Sequence, residues 1–265
     1  MLQDRYYFTT FKSLSDGAVD GEKQILSFSA QMTYFEKTQE SPAMPQTAVI
    51  IPCYNEAVAI ADVVKQAKSV LPDATVYVYD NESTDGSAEI ARQAGALVRS
   101  VSERGKGSVV RRMFQDIDAD IYIMADGDTT YDIARAPDLI RELTEKGLQM
   151  VIGRRKHSDA AAYRSGHCLG NKALTGLARL LFRIQTRDML SGFRVFTKEF
   201  VKSFPAKSHG FELETEMTIF AAKNKLPVGE IETAYFARPR GSVSKLSTCR
   251  DGMKILLTII RLFLH

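Results

Sequence analysis

Short apolar runs alternate with helical periodicity from Thr47 onward, and this alternation constrains the fold more than any other feature of the chain. Apolar runs that predict buried strands lie at 47–51, 75–79, 96–98, 121–125 and 149–152. The stretches between them that show helical spacing are 57–70, 87–94, 106–114 and 136–146. Strands and helices alternating at this spacing form βαβ units. We therefore predict an α/β fold with a mostly parallel sheet flanked by helices.

The second half of the chain has a less regular pattern. Helices are predicted at 171–182, 212–225 and 251–264, a strand at 193–196 and an edge strand at 228–236. Residues 1–46 lack periodicity and end in a Pro-containing linker, so we divide the chain into an N-terminal extension (1–46), a main domain (47–250) and a C-terminal amphipathic helix (251–265). Lys254, Thr258 and Arg261 form a narrow polar stripe on that helix. Its wide apolar face can pack on the domain or lie on a membrane surface.

Composition narrows the environment and the partners. The chain has 265 residues and three distant cysteines outside any CxxC spacing, which indicates reduced thiols in a cytoplasmic protein. It has no apolar run long enough to span a bilayer, and its first residues do not resemble a signal peptide. Between Arg154 and Arg187 there are eight Lys or Arg residues and one acid, Asp159. This stretch favours an anionic partner, and we expect no nucleic acid among the partners.

Three polar loops follow predicted strands. They are 52–56, 80–86 and the triplet Asp126-Gly127-Asp128. In parallel sheets, ligands bind beyond the C-terminal strand ends, so the three loops share one rim. Two carboxylates one residue apart can bind one Mg²⁺ or Mn²⁺, which would in turn hold a diphosphate. The alternative for the triplet taken alone is a solvated acidic turn.

Six segments in this order resemble one family. They are 49–56, 80–87, Gly105-Lys106-Gly107, Asp126-Gly127-Asp128, Ser191-Gly192-Phe193-Arg194 and 238–246. Together they resemble the family 2 glycosyltransferases of the GT-A fold, in the branch that transfers sugars to dolichyl or polyprenyl phosphate. The resemblance implies a Rossmann-like GT-A sheet and covers the chain from Val49 to Leu246.

The resemblance also implies a donor site for a UDP- or GDP-hexose. Tyr54 and Glu56, with Pro52, would contact the nucleoside, and Asp80 would accept a hydrogen bond from a uracil or guanine N–H. The residues assigned to the diphosphate and to the basic side of the site are Lys106, Asp126, Gly127, Arg238 and Lys245. Asp128 is the predicted direct metal ligand, with Asp126 and Thr130 as further ligands. Lys106 stands at a helix start, where N–H groups and an ammonium favour phosphate.

Two features of the donor site qualify the resemblance. Asn81 stands where the family often has a second Asp, which leaves its base or ribose contact open. Asp85 and Gly86 are expected to shape the turn and cap the next helix rather than to bind ligand.

On the acceptor side, Arg155, Arg194, Arg238 and Lys245 match basic positions of the family that can screen two phosphate groups. Asp188 matches an acid near the sugar and can be either a base or an acceptor for a sugar hydroxyl; Glu212 has the same two readings. A phosphate acceptor is already ionised near neutral pH, so it needs positioning and charge screening more than a base.

The sequence therefore predicts a metal-dependent inverting glycosyltransferase that uses polyprenyl phosphate at the cytoplasmic face of a membrane. The first alternative is transfer to a hydroxyl of a soluble or glycan acceptor, which needs Asp188 or Glu212 as base. A nucleotidyltransferase also uses paired carboxylates, but it would need a glycine-rich loop where 52–56 stands. A non-catalytic module that binds sugar nucleotides is the remaining alternative.

Overall fold

The computed structural model describes residues 45–157 and 165–264, with the side chains of residues 157, 165–169 and 248 excepted. The predicted N-terminal extension therefore lies outside the described residues apart from its last two positions. Part of the basic stretch and the last residue of the C-terminal helix also lie outside them.

The described residues form one seven-stranded mixed sheet. The strands are β1 Thr47–Cys53, β2 Thr75–Asp80, β3 Leu97–Ser100, β4 Ile121–Met124, β5 Met150–His157, β6 Arg194–Thr197 and β7 Val228–Tyr235. Their order is β3-β2-β1-β4-β6-β5-β7, and β6 pairs antiparallel with both neighbours while the other pairs are parallel. The predicted α/β fold with a mostly parallel sheet is confirmed, and β7 lies at the sheet edge as predicted.

Eight α-helices cover the sheet within the described residues. They are α1 Ile60–Val70, α2 Ser87–Gln93, α3 Lys106–Asp116, α4 Ala136–Glu145, α5 Ser165–Phe182, α6 Lys198–Ser203, α7 Leu213–Lys223 and α8 Thr248–Leu264. A 3₁₀ turn, Ile133–Arg135, precedes α4. The sequence analysis did not predict α6, which has six residues and begins after Thr197, whose side chain caps it by accepting a bond from the Phe200 N–H.

Alternate residues of each central strand enter opposite layers, which explains why these strands read as continuous apolar runs. Ile50 of β1 packs with α3, α6 and α7 on one face, whereas Val49 and Ile51 pack with α1 and α4 on the other. β5 is longer than predicted because its polar end, from Arg154 onward, continues to pair with β7. The end of β5 is determined by backbone hydrogen bonds to β7, and such bonds cannot be recognised from the pattern of apolar residues.

A third apolar cluster joins α5, α7 and α8 through residues such as Ala178, Ile219 and Ile259. One face of α8 thus packs on the domain, in agreement with the first of the two predicted readings. The predicted polar stripe was wrong at Thr258, which is buried, whereas Lys254 and Arg261 are exposed. In the described part of the chain, no helix combines the length and the apolar character needed to cross a membrane.

Candidate active site

A cavity of about 650 Å³ opens beyond the C-terminal ends of β1, β2 and β4. The predicted site residues that line it are Pro52, Tyr54, Glu56, Lys106, Asp126, Gly127, Asp128, Arg155, Arg238 and Lys245. The predicted site residues that do not line it are Asp80, Thr130, Asp188 and Arg194. The three rim loops therefore meet as the topology predicted, but four of the named side chains lie behind the surface.

The first two rim loops are tied together by backbone and side-chain hydrogen bonds. Asp85 accepts from the N–H groups of Ala57 and Ser87 at 3.0 Å each, and the Ser87 hydroxyl accepts from the N–H of Glu56 at 2.8 Å. Asp85 therefore shapes the turn and the start of α2, as expected. The guanidinium of Arg104 stacks over the exposed ring of Tyr54 at 4.9 Å. This places a flat cationic group on the ring that was predicted to stack on the nucleoside.

Asp80 and Asn81 are both buried at the end of β2. Asp80 accepts from the N–H of Ser83 at 3.0 Å through Oδ2, and its Oδ1 has no hydrogen-bond partner within the described part of the chain. The Asn81 amide donates to the carbonyls of Val101 and Glu103 at 2.8 and 2.9 Å and accepts from the N–H of Gly105. A carboxylate at position 81 cannot donate to two carbonyls, so the asparagine is required by the loop it holds.

Lys106 lies between two carboxylates and is nearly buried. Its Nζ is 2.5 Å from Asp126 Oδ1 and 2.6 Å from Glu214 Oε1. Burial alone would lower the pKa of Lys106, but the two carboxylates outweigh it and raise the pKa above its usual value. The cation at this position is therefore permanent, and it fixes the orientation of Asp126.

The N-terminus of α3 is not free to bind phosphate, contrary to the sequence prediction. The carbonyl of His209 accepts from the N–H groups of Gly107 and Ser108 at 2.9 and 3.3 Å. A Cβ on Gly105 or Gly107 would stand 2.1 or 2.2 Å from the carbonyls of the 208–209 segment. The two glycines thus permit that close approach, and the Lys106 side chain reaches the cavity from this turn.

Asp128 is almost fully buried beside Asp126. Its Oδ1 accepts from the hydroxyl and the N–H of Thr130 at 2.6 and 3.1 Å, and its Oδ2 forms an ion pair with Arg238. Burial, and then the charge of Asp126, raise the pKa of Asp128. Asp128 and the partly exposed Asp126 beside it form a pair of hard-oxygen donors that a divalent cation would stabilise. Asp126 and Asp128 therefore fit the predicted metal as two of its ligands, although the described residues contain no group of three His, Cys, Asp or Glu side chains that could hold it. The hydroxyl of Thr130, predicted as a further ligand, donates to Asp128 instead.

Glu56 gathers the basic segment 238–246 onto the rim. Its Oε1 accepts from Lys245 Nζ at 2.6 Å and from Arg238 Nη1 at 3.3 Å, and its Oε2 accepts from the Ser242 hydroxyl at 3.1 Å. Burial would lower the pKa of Arg238, but Asp128 and Glu56 outweigh it and raise the pKa. Arg238 thus contacts the predicted metal ligand Asp128, and Lys245 lies beside it on the same glutamate.

Arg155, which lines the cavity, forms a bidentate ion pair with Asp188 behind it. Arg155 donates from Nε and Nη2 at 2.8 and 2.7 Å, and Asn171 donates to the same carboxylate at 2.9 Å. Burial would raise the pKa of Asp188, but Arg155 outweighs it and lowers the pKa to about 2. A carboxylate with this pKa and with both oxygens engaged is a poor proton acceptor. The geometry makes Asp188 a positioning residue for Arg155 and argues against a base, one of the two roles left open for it.

Arg194 is fully buried in β6. It donates to the carbonyls of Ser191 and Met189 and to the hydroxyl of Thr218, and burial lowers its pKa to about 10. The predicted direct screening of phosphate by Arg194 is therefore wrong, because its guanidinium holds the loop before β6 from inside the fold.

Comparison with known proteins decides the family. The family model described as Glycosyl transferase family 2 matches residues 48–204. The chain belongs to that family. Glycosyltransferase AglJ of Haloferax volcanii is 37% identical over 222 residues, which cover 83% of this chain and 73% of that protein. The dolichyl-phosphate hexose transferase of the same organism is 26% identical over 218 residues, which cover 82% of this chain and 94% of that protein.

A solved structure of glucosyl-3-phosphoglycerate synthase from Mycobacterium tuberculosis, in complex with Mn²⁺, UDP-glucose and phosphoglyceric acid, has the same fold. Its TM-score is 0.68 at 22% identity, over 83% of this chain and 80% of that chain. The predicted GT-A fold and the glycosyltransferase class are confirmed. The nucleotidyltransferase and the non-catalytic alternatives are set aside.

Several residues that line the cavity of this glycosyltransferase were not predicted from the sequence, among them Arg104, Tyr131 and Glu214. Glu214 lines it, whereas Glu212, the predicted candidate, accepts from the N–H of Gly210 and does not. The hydroxyl of Tyr131 accepts a hydrogen bond from the N–H of Gly192 at 2.7 Å, and burial raises the pKa of Tyr131. Two acids two residues apart, Glu212 and Glu214, stand at the start of α7 in the sequence. Which of them faces the cavity depends on the exact residue at which the helix begins, and the sequence does not fix that residue.

One carboxylate oxygen of Glu214 lacks a hydrogen-bond partner within the described residues. Oε1 of Glu214 pairs with Lys106, whereas Oε2 is the buried oxygen without such a partner in the described part of the chain. A buried carboxylate oxygen with no donor costs free energy, of the order of 1–3 kcal/mol. This position in the glycosyltransferase cavity is therefore suited to accept a hydrogen bond from a ligand hydroxyl.

Proposed function

We propose that this glycosyltransferase moves a hexose from a UDP- or GDP-sugar to a polyprenyl phosphate, with Mg²⁺ or Mn²⁺ and with inversion at the sugar. The observation that carries the proposal is the charge of the cavity. Its lining contains four carboxylates, Glu56, Asp126, Asp128 and Glu214, and six cations, Arg104, Lys106, Arg155, Arg238, Lys245 and Arg250.

The cations of the lining favour an anionic acceptor. Arg155 is paired with Asp188 and Arg104 with Glu82, both acids outside the lining, which leaves four cations against four carboxylates. A divalent metal adds two positive charges and a sugar nucleoside diphosphate brings about two negative ones, so the site stays close to neutral. A phosphate monoester, with about −1.5 to −2 charge at neutral pH, would therefore be held by individual cations such as Arg238, Lys245 and Arg250.

In this proposal an oxygen of the acceptor phosphate attacks C1 of the hexose. The bond from C1 to the diphosphate oxygen breaks and its electron pair leaves with the nucleoside diphosphate, so a sugar phosphodiester forms and no proton has to be removed. Arg238 and Lys245 screen the two phosphate groups, and Arg155, held by Asp188, faces the acceptor. Glu214 accepts a hydrogen bond from a hexose hydroxyl through its free Oε2.

Asp126 and Asp128 would hold the metal ion, which when bound neutralises charge on the leaving diphosphate. The Mn²⁺ and UDP-glucose in the complex of the mycobacterial synthase support this donor chemistry, and the name of the dolichyl-phosphate hexose transferase supports the acceptor class. We also propose that the reaction occurs at the cytoplasmic face of a membrane, since a polyprenyl chain resides in a bilayer.

One observation favours the second candidate, transfer to a hydroxyl. Glu214 is a cavity carboxylate with a buried oxygen that has no hydrogen-bond partner within the described residues, and that oxygen could act as a base. The phosphoglyceric acid in the mycobacterial complex is a soluble compound that carries both phosphate and hydroxyl.

Donor turnover tests the proposal. Purified protein is incubated with each of several UDP- and GDP-hexoses and Mn²⁺, with and without polyprenyl phosphate, and released nucleoside diphosphate is measured. We expect stimulation by the lipid phosphate with one donor, loss of turnover with a chelator, and loss of turnover in Asp128→Asn. A rate that the lipid phosphate does not change would overturn the acceptor assignment.

A further inference from the structure

The outer side of α8 carries a continuous apolar stripe. Met253, Leu257, Ile260 and Leu264 are all exposed, and Leu257 is 57% exposed. At 3.6 residues per turn their spacing of four, three and four residues places them within an arc of about 60°. The buried residues of the same helix, Ile255 and Ile259, point into the cluster with α5 and α7. The domain therefore uses one side of α8 and leaves the other side in water.

Cations flank this stripe. Arg250, Lys254 and Arg261 are exposed along one side of it, within about 100° of its centre. On the adjacent helix α5, the described cations Lys172, Arg179 and Arg183, just after its end, are exposed as well. The described residues of α5 and α8 include one acid, Asp251, which is buried and accepts from the N–H of Ser247. An apolar stripe with cations and no exposed acid complements an anionic surface with an apolar interior.

The start of α8 adjoins the candidate active site. Arg250, one of the cations beside the stripe, lines the cavity, as does Leu246 just before the helix, whereas Ile255 lines it from the buried side of α8. The cavity and the stripe therefore meet at the first turn of α8, through Arg250. A second copy of the chain would instead bring the same cations together, which opposes a symmetric contact through this face.

We propose that the stripe of α8 and its flanking cations dock this enzyme on an anionic lipid bilayer, with the helix lying in the interface plane. The inference deepens the proposed function, on which it rests for the acceptor, and it names the surface that brings the cavity to the lipid. Met253, Leu257, Ile260 and Leu264 enter the interface, while Arg250, Lys254 and Arg261 contact lipid phosphates.

The absence of tryptophan from the 265 residues provides the test. Leu257→Trp introduces one fluorophore on the stripe, and Leu97→Trp introduces one at the far sheet edge, where the side chain is equally exposed at 56%. Both variants are titrated with phosphatidylcholine vesicles with and without phosphatidylglycerol. We expect emission at Leu257→Trp to shift to shorter wavelength with the anionic vesicles and no shift at Leu97→Trp.

Two further variants separate the apolar and the charged parts. Leu257→Gln/Ile260→Gln is expected to weaken vesicle binding at least about tenfold, because two apolar side chains that would be buried in the bilayer interface are replaced by polar ones. Lys254→Gln/Arg261→Gln is expected to weaken binding to anionic vesicles about tenfold and to abolish most of its salt dependence. Both pairs lie outside the cavity, so Mn²⁺-dependent binding of the sugar nucleotide should be unchanged, and this confirms folding.

An equal shift at Leu97→Trp, or no shift at Leu257→Trp, overturns the docking surface. A shift at Leu257→Trp that grows with protein concentration without vesicles also overturns it, in favour of self-association. If docking fails while the lipid phosphate still stimulates turnover in detergent, the proposed function stands and only this surface is wrong. If the stripe binds vesicles but no lipid phosphate stimulates turnover, the docking surface stands and the proposed acceptor is wrong.

Discussion

The guanidinium of Arg238 forms an ion pair with the carboxylate of Asp128, the predicted direct metal ligand. The same guanidinium donates to Glu56 at 3.3 Å, so one arginine from the segment 238–246 joins two rim loops. A metal ion held by Asp128 would compete with Arg238 for this carboxylate and would leave the arginine available to a diphosphate.

Replacing Arg238 should separate metal affinity from donor affinity. In Arg238→Gln, Mn²⁺ binding without nucleotide should tighten about fivefold, because a competing partly exposed ion pair is gone. Affinity for the sugar nucleotide at saturating Mn²⁺ should fall. Calorimetric titration measures both. Lys245→Gln is the matched control, since Lys245 contacts Glu56 and Asn55 but not Asp128, and its Mn²⁺ affinity should equal that of the wild type.

Glu214 distinguishes the two acceptor chemistries. With a phosphate acceptor, Glu214→Gln should raise KM for the donor about tenfold through one lost charge-assisted hydrogen bond, and leave kcat within a few-fold of the wild type. With a hydroxyl acceptor it should lower kcat by about 10²–10⁴ and remove the acidic limb of the pH profile. Glu212→Gln, outside the cavity, should change neither constant. A large fall in kcat for Glu214→Gln would contradict the phosphate acceptor.

Restoring the acid that the family often has at position 81 should destabilise this protein. Asn81→Asp should lower the free energy of unfolding by about 3 kcal/mol, because two carbonyls lose their donor and face a buried carboxylate. Urea unfolding measures this, and hydrogen exchange should rise in residues 101–105. Asn224→Asp, which loses one exposed hydrogen bond to Phe220, is the control and should change stability by less than about 0.5 kcal/mol. Equal stability of Asn81→Asp and wild type would refute the assignment.

Asp188 gives a pH dependence of defined sign. Its pKa is lowered from 3.8 to about 2 in the folded protein. Its contribution, ~2 kcal/mol for that shift, is fully present above about pH 4 and is lost as the pH falls toward 2. Asp188→Asn should therefore be less stable at neutral pH and show a shallower loss of stability between pH 4 and 2. Asp118→Asn, at an exposed carboxylate, should follow the wild type. A parallel pH dependence of Asp188→Asn and wild type would exclude the role assigned to the Arg155 pair.

The sheet and the rim could be predicted because strand periodicity and the position of polar loops are local in the sequence. Asp126 and Asp128 were placed correctly for that reason. The partners of charged residues could not be predicted, since they come from distant segments. Arg194 and Arg155 both read as basic residues of the acceptor site, but only packing shows that the first is buried behind β6 and the second faces the cavity. Glu212 and Glu214 likewise differ only in helix register.

Analysis of the product tests the transfer of a hexose to the lipid phosphate. Wild-type protein with the preferred donor, Mn²⁺ and polyprenyl phosphate is followed by mass spectrometry and by NMR of the anomeric carbon. We expect a hexosyl phosphodiester of the lipid whose anomeric configuration is opposite to that of the donor, and we expect no such product with Asp128→Asn. A product with the hexose on a hydroxyl oxygen, a product with retained configuration, or full activity of Asp128→Asn would contradict this proposal.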